Sequence, residues 1–226
     1  MKYPILGRER RRPIALSAVG TVLVLAFACV LFTLTVLAIQ PGLLSDTLAA
    51  FWEDKLLIPL NIFPVCVVLI VCYCLTGNAF SAAGIGGLVV NLLSYINLVK
   101  TDCRNDPFVP ADCALLREAA NAVGDYQLDL HWGTLAAILL LSAVCFALAY
   151  WSRARKPRWY VRSIMALVVL AVFGASMVKV YPSGDIYDRR GVGTVKVSKS
   201  NVPEVFRLCG FPYCFLHNYN LYPVEK

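Results

Sequence analysis

The chain of 226 residues is 59% hydrophobic and only 15% charged, with a mean hydropathy of +0.66. Soluble domains carry about a quarter charged residues, so an ordinary soluble globule is excluded. A net charge of +7 would suit nucleic acid, but the basic residues are placed as a membrane-topology signal and no nucleic-acid partner is expected.

A basic segment, residues 1–13, carries Lys2, Arg8, Arg10, Arg11 and Arg12 ahead of a first apolar span over 14–39. Crossing a hydrocarbon core takes roughly 20 helical residues. This span is too long for a signal-peptide core and has no small-residue cleavage site before Gln40, so it reads as a retained helix. Residues 40–57 read as a loop, with a turn at Pro41-Gly42 and solvated charge at Asp46, Glu53, Asp54 and Lys55. Spans over 58–75 and 79–99 meet across Thr76-Gly77-Asn78 as an antiparallel hairpin. Ala83 and Gly87 in the third span, and Ala171 and Ala175 in the fifth, are small-residue pairs that permit close helix packing. Asn91, Ser94 and Tyr95 share one helical face, with Asn97 just beyond. A polar face in lipid must look into the bundle or a wet cavity, so it serves either interhelical hydrogen bonds or a lipid-headgroup groove.

Residues 97–126 are a dense run of charge between apolar segments. Asp106-Pro107 and Val109-Pro110 hold the backbone extended and break any helix. Asp112 then stands at an N-cap position. Leu115, Leu116, Ala119, Ala120 and Val123 form one apolar stripe, with Arg117 and Glu118 off it. The pattern predicts an amphipathic helix on the membrane surface, ended by Gly124. Spans over 133–151 and 161–179 follow. The segment 180–226 has no span and no compact unit is expected in it; Phe206, Phe211, Tyr213, Phe215, Tyr219 and Tyr222 suit the headgroup zone.

The expected fold class is therefore an all-α membrane protein: five transmembrane helices over 14–179, an outer loop with its surface helix over 100–132, and a tail over 180–226. One side collects ten basic residues, including Arg153, Arg155, Lys156, Arg158 and Arg162, against the single acid Glu9. The other side holds the remaining eleven basic residues and thirteen acids. The positive-inside rule then makes the amino terminus cytoplasmic and the tail extracytoplasmic. Cys29, Cys66, Cys72, Cys74 and Cys145 lie in spans; Cys103, Cys113, Cys209 and Cys214 lie outside, as free thiols or as disulfides of open pairing. No zinc-type Cys/His spacing occurs, so no metal site is expected.

Asn97-Leu-Val-Lys100, Arg104-Asn-Asp-Pro107, Pro110-Ala-Asp112, Arg117-Glu118-Ala119 and Tyr126 follow one another in this order. The run resembles the outer segment of the lipoteichoic-acid synthase family, membrane phosphoglycerol transferases of the sulfatase and alkaline-phosphatase superfamily. Asn105 stands where that family often has Gly, and Cys113 where it often has Leu. In the tail, Asn201, Gly210-Phe211 and Phe215-Leu-His-Asn218 resemble the family's juxtamembrane segment. The resemblance implies a bacterial cell-membrane protein that anchors an extracellular sulfatase-like catalytic domain, in cis or in trans, and presents phosphatidylglycerol to it. That domain would carry a threonine nucleophile and a divalent metal, usually manganese. Neither the nucleophile motif nor the ligand set occurs in these 226 residues, so no catalytic residue and no cofactor is expected here. Lys100, Arg104 and Arg117 would meet lipid phosphate. Asp106, Asp112 and Glu118 would organise the loop, Asp106 by orienting Arg104. Ion pairs that merely hold the loop explain the same charges, and a non-enzymatic scaffold of the cell envelope is the alternative function. A transporter would want mid-membrane charge and repeat symmetry, which the Asn91 face and Pro64 alone do not supply.

Overall fold

Apolar segments without water must satisfy their own backbone groups, and helices do so within one segment. The computed structural model describes residues 14–40, 42, 44–113, 130–154, 157–181 and 202–218. In chain order it contains β1 (Ile14–Leu16), α1 (Ala18–Ala38), α2 (Leu44–Glu53), α3 (Leu57–Thr76), α4 (Ala79–Arg104), a 3-10 turn (Pro110–Cys113), α5 (Trp132–Trp151), β2 (Ser152–Ala154), α6 (Trp159–Lys179), α7 (Val202–Cys209) and α8 (Phe211–Asn218). Helices α1, α3, α4, α5 and α6 are each long and apolar enough to cross a membrane. The fold is that of a multi-pass membrane protein. The expected surface helix, with Arg117 and Glu118, and the residues Tyr219 and Tyr222 lie outside the described residues.

Helices α3 and α4 form the centre, α1 packs across both, α5 packs on α4, and α6 packs on α3. Glycine sets the closest approach: a Cβ at Gly87 would run into the ring of Phe32, which is fully buried on α1. Ala83 is likewise buried. Ala171 and Ala175 behave differently, lying exposed on α6, none of whose residues is buried among the described residues. Their spacing therefore marks no packing face among the described residues.

The hairpin between α3 and α4 forms as its residues dictate. Gly77 takes the left-handed conformation at φ 69°, and its N–H donates to the Tyr73 carbonyl at 2.7 Å. Asn78 then caps α4, its Oδ1 accepting from the N–H groups of Phe80 and Ser81. Its Nδ2 donates to Ser152 Oγ at 3.1 Å, tying the turn to the end of α5. At the same end β1 and β2 pair in parallel, Ile14 opposite Ser152. Nothing in the sequence pattern of such three-residue strands announced this ribbon.

The opposite end carries a cap that sequence patterning does not predict. Residues 44–53, expected as loop, are helical, and α7 and α8 pack against α2, α3 and the 3-10 turn. Phe206, Phe211 and Tyr213, expected in the headgroup zone, are instead 2%, 4% and 1% exposed. Burying such a ring contributes about 1.5–3 kcal/mol, which outweighs an interfacial position. Polar groups fix the seat. Asn61 donates through Nδ2 to the Cys209 carbonyl at 2.8 Å, and its Oδ1 accepts from Tyr213 N–H at 3.2 Å. With its amide in the orientation that satisfies both neighbours, Gln40 donates to the Phe206 carbonyl at 3.1 Å and accepts from Phe211 N–H at 2.7 Å. Arg207 pairs with Asp46 at 2.6 Å. Pro64 lies inside α3 and has no N–H for the Leu60 carbonyl. The Tyr181 hydroxyl donates to that carbonyl at 2.9 Å, and His217 Nδ1 lies 2.6 Å from the Tyr181 carbonyl.

Candidate functional site

The charged stretch begins on a helix rather than on a loop. α4 continues past residue 99, the expected end of the third span, to Arg104, so Lys100, Asp102 and Arg104 ride its last turns. Asn105 ends it in the left-handed region at φ 52°, with its N–H donating to the Thr101 carbonyl at 2.7 Å. Asparagine tolerates that conformation better than most side chains do, though less well than glycine. Arg104 is exposed at the negative end of the α4 dipole, a favourable place for a cation.

The chain then folds back along α4. Asn97, 1% exposed, accepts the Phe108 N–H through Oδ1 at 2.8 Å. Lys100 Nζ donates to Asp106 Oδ2 at 2.8 Å, to Asp112 Oδ2 at 2.8 Å, and to the Pro107 carbonyl at 2.9 Å. An ammonium has three donors, and here all three are engaged. Asp112 Oδ2 also accepts the Val109 N–H at 2.8 Å. The Lys100 side chain is 16% exposed and that of Asp112 24%, so this is a largely buried knot; Asp106, at 61%, is its wet edge. Asp106 thus faces Lys100, and Asp112 holds the 3-10 turn. Beside the knot, His131 Nε2 lies 2.7 Å from Asp102 Oδ2, joining the start of α5 to α4.

The polar face deeper on α4 is enclosed. Thr35 Oγ1 donates to Asn91 Oδ1 at 2.8 Å, and Ser94 Oγ donates to the Val36 carbonyl at 2.9 Å, both across the α1–α4 contact. Tyr95 is buried, and among the described residues its hydroxyl meets no partner. Through Asn91 and Ser94 the face ties α4 to α1.

The cysteines outside the spans are free thiols. Cys103 and Cys113 are exposed, whereas Cys209 lies beside Cys214 in the cap. A hydrogen bond from the Cys214 thiol holds Cys209 below the ordinary thiol range, against the opposing pull of burial. Burial pushes the Tyr181 and Tyr213 hydroxyls well above theirs. No group of metal-ligating side chains occurs among the described residues.

Sequence reasoning missed Asn61, Gln40 and Tyr181, which seat the cap. Asn61 alone carried a signal, as an amide inside an apolar span. Neither a known family, nor a curated protein, nor a solved structure matches the chain.

Proposed function

We propose that this chain is the membrane domain of a lipoteichoic-acid synthase-like phosphoglycerol transferase of the bacterial cell envelope. Its amino terminus is cytoplasmic by charge bias, and the capped end faces outward. The domain anchors a sulfatase-like catalytic domain and presents phosphatidylglycerol to it, with the divalent metal and the nucleophile belonging to that partner.

One observation carries this reading. The two separated stretches that bear the resemblance, 97–113 and 210–218, meet in space: Phe108 and Phe215 stack with ring centroids 5.7 Å apart. Stretches that share one task are expected to share one place. In this reading Lys100, with its donors engaged, holds the turn, while Arg104 meets lipid phosphate and Arg117 joins it.

The experiment is photocrosslinking of the purified chain in nanodiscs with a diazirine-bearing phosphatidylglycerol. Crosslinked peptides from 97–113 are expected, and Arg104→Glu should deplete them. Unchanged labelling in Arg104→Glu overturns the headgroup role. Labelling with no preference for phosphatidylglycerol over phosphatidylcholine favours a non-enzymatic scaffold.

A further inference from the structure

The described carboxylates, from Asp46 to Glu204, all belong to the capped end of the molecule. The sequence holds no Asp or Glu between Asp54 and Asp102, nor between Asp129 and Asp185. The other end, where α3 turns into α4 and α6 begins, thus has basic residues and no described countercharge. One of them, Arg162, is drawn inward. It sits in the first turn of α6, only partly exposed, with its guanidinium close enough to the Tyr73 hydroxyl and Cys74 thiol of α3 to act on them electrostatically. Met165, one turn further along α6, packs against the same Tyr73 cluster, so this face of α6 looks onto α3.

The Arg162 Nε is buried and, among the described residues, meets no acceptor. None of the described ion pairs includes Arg162. Arg158, four residues earlier, differs: its Nη1 donates to the Tyr160 hydroxyl at 2.9 Å. A guanidinium N–H buried without an acceptor is costly, and a planar fork of N–H donors matches the oxygens of a phosphate. The depth also fits. Trp159 and Tyr160, 74% and 42% exposed beside Arg162, are the ring types that settle at headgroup level.

We propose that the α3–α6 seam at the end where α6 begins binds the phosphate of an anionic phospholipid, with Arg162 as its principal contact. The α3 carbonyl end, which has no basic residue in its last turn, attracts the same guanidinium; it draws the buried Nε side towards α3 and leaves the exposed part of Arg162 for the ligand. This site lies at the opposite end of the bundle from the one read above as presenting phosphatidylglycerol, and it stands whether or not that reading does.

The test is native mass spectrometry of the full chain released from micelles doped with phosphatidylglycerol, with phosphatidylcholine and inorganic phosphate as separate arms. The parent should retain phosphatidylglycerol over phosphatidylcholine, and inorganic phosphate should not displace it. In an Arg104→Glu background, which removes the headgroup contact at the capped end, Arg162→Gln should lower retention about tenfold, the effect of losing one charge-assisted bond, and Arg162→Lys should recover part of it. Helix content of both variants by circular dichroism checks that they fold. In that background, equal retention by the parent and a folded Arg162→Gln overturns the proposal, as does displacement by inorganic phosphate. An Arg162→Gln that loses thermal stability equally with and without the lipid also overturns it, because Arg162 would then serve only the α3 dipole.

Discussion

The hydroxyl of Tyr181 stands in for the N–H that Pro64 lacks. Pro64 leaves the Leu60 carbonyl without its helical donor, and Tyr181, just past the end of α6, reaches it at 2.9 Å. One apparent defect of α3 is thereby the point at which α6 and the cap are fastened to it. The energetic consequence is a coupling. Tyr181→Phe should cost about 1–2 kcal/mol, since it orphans a buried carbonyl. In a Pro64→Ala background, where the helix supplies its own N–H, the same change should cost clearly less. A double-mutant cycle on unfolding in detergent reads this directly; equal costs in the two backgrounds would show that the bond is incidental.

Lys100→Met should loosen the stretch from Pro107 to Cys113. It removes three donors and leaves Asp112 largely buried without its cation, at about 2–4 kcal/mol. Hydrogen exchange should rise at Val109 and Phe108 while the helical interior is unaffected. His131→Ala should change stability by less than about 1 kcal/mol, because its pair with Asp102 is exposed.

Gly210 sits at φ +89°, and a Cβ there would strike the Asn61 side chain. Gly210→Ala therefore meets backbone strain and collision together. The expected outcome is release of α7 and α8 while the five long helices persist, read as new protease sites near residues 202–218. Asn61→Leu, which removes two cap bonds without touching the backbone, should release the same segment.

Alkaline pH should weaken the cap before the bundle. Burial raises the pKa values of Tyr181 and Tyr213 above the usual 10.0, so the folded state holds protons that the unfolded state releases. The stability they contribute is full below about pH 10 and falls as pH rises from there towards the raised folded values. Tyrosinate absorbance should show these two hydroxyls ionising only together with loss of cap protection. Tyr213→Phe should delay that loss to higher pH.

The five spans were legible because lipid imposes one requirement along a whole segment, and hydropathy averages over it. Details that depend on single contacts were not. α4 outruns its apolar run because Asn105, rather than the first charge at Lys100, ends the helix. The cap escaped notice because its rings resemble an interfacial belt by composition. Only partners far away in sequence, Gln40 and Asn61, reveal that they are buried. The Asn91 face was visible from its period, but choosing between its two uses required knowing where Thr35 and Val36 stand. Ala171 and Ala175 show the converse, a recognisable spacing that stays exposed among the described residues.

The parallel ribbon also constrains how the molecule is assembled. α1 begins where α5 ends, and the two helices run in opposite directions, so strands that simply prolonged them would pair antiparallel. β1 and β2 pair in parallel, so at least one turns aside and the ribbon lies across the helix ends. Its second strand is synthesised only after α5. Until then the first span is held by α3 and α4, with α2 at its far end, and its leading residues lack the partner that fixes them. The ribbon thus works as a late fastener, closing only when the fourth crossing has been completed in the correct sense.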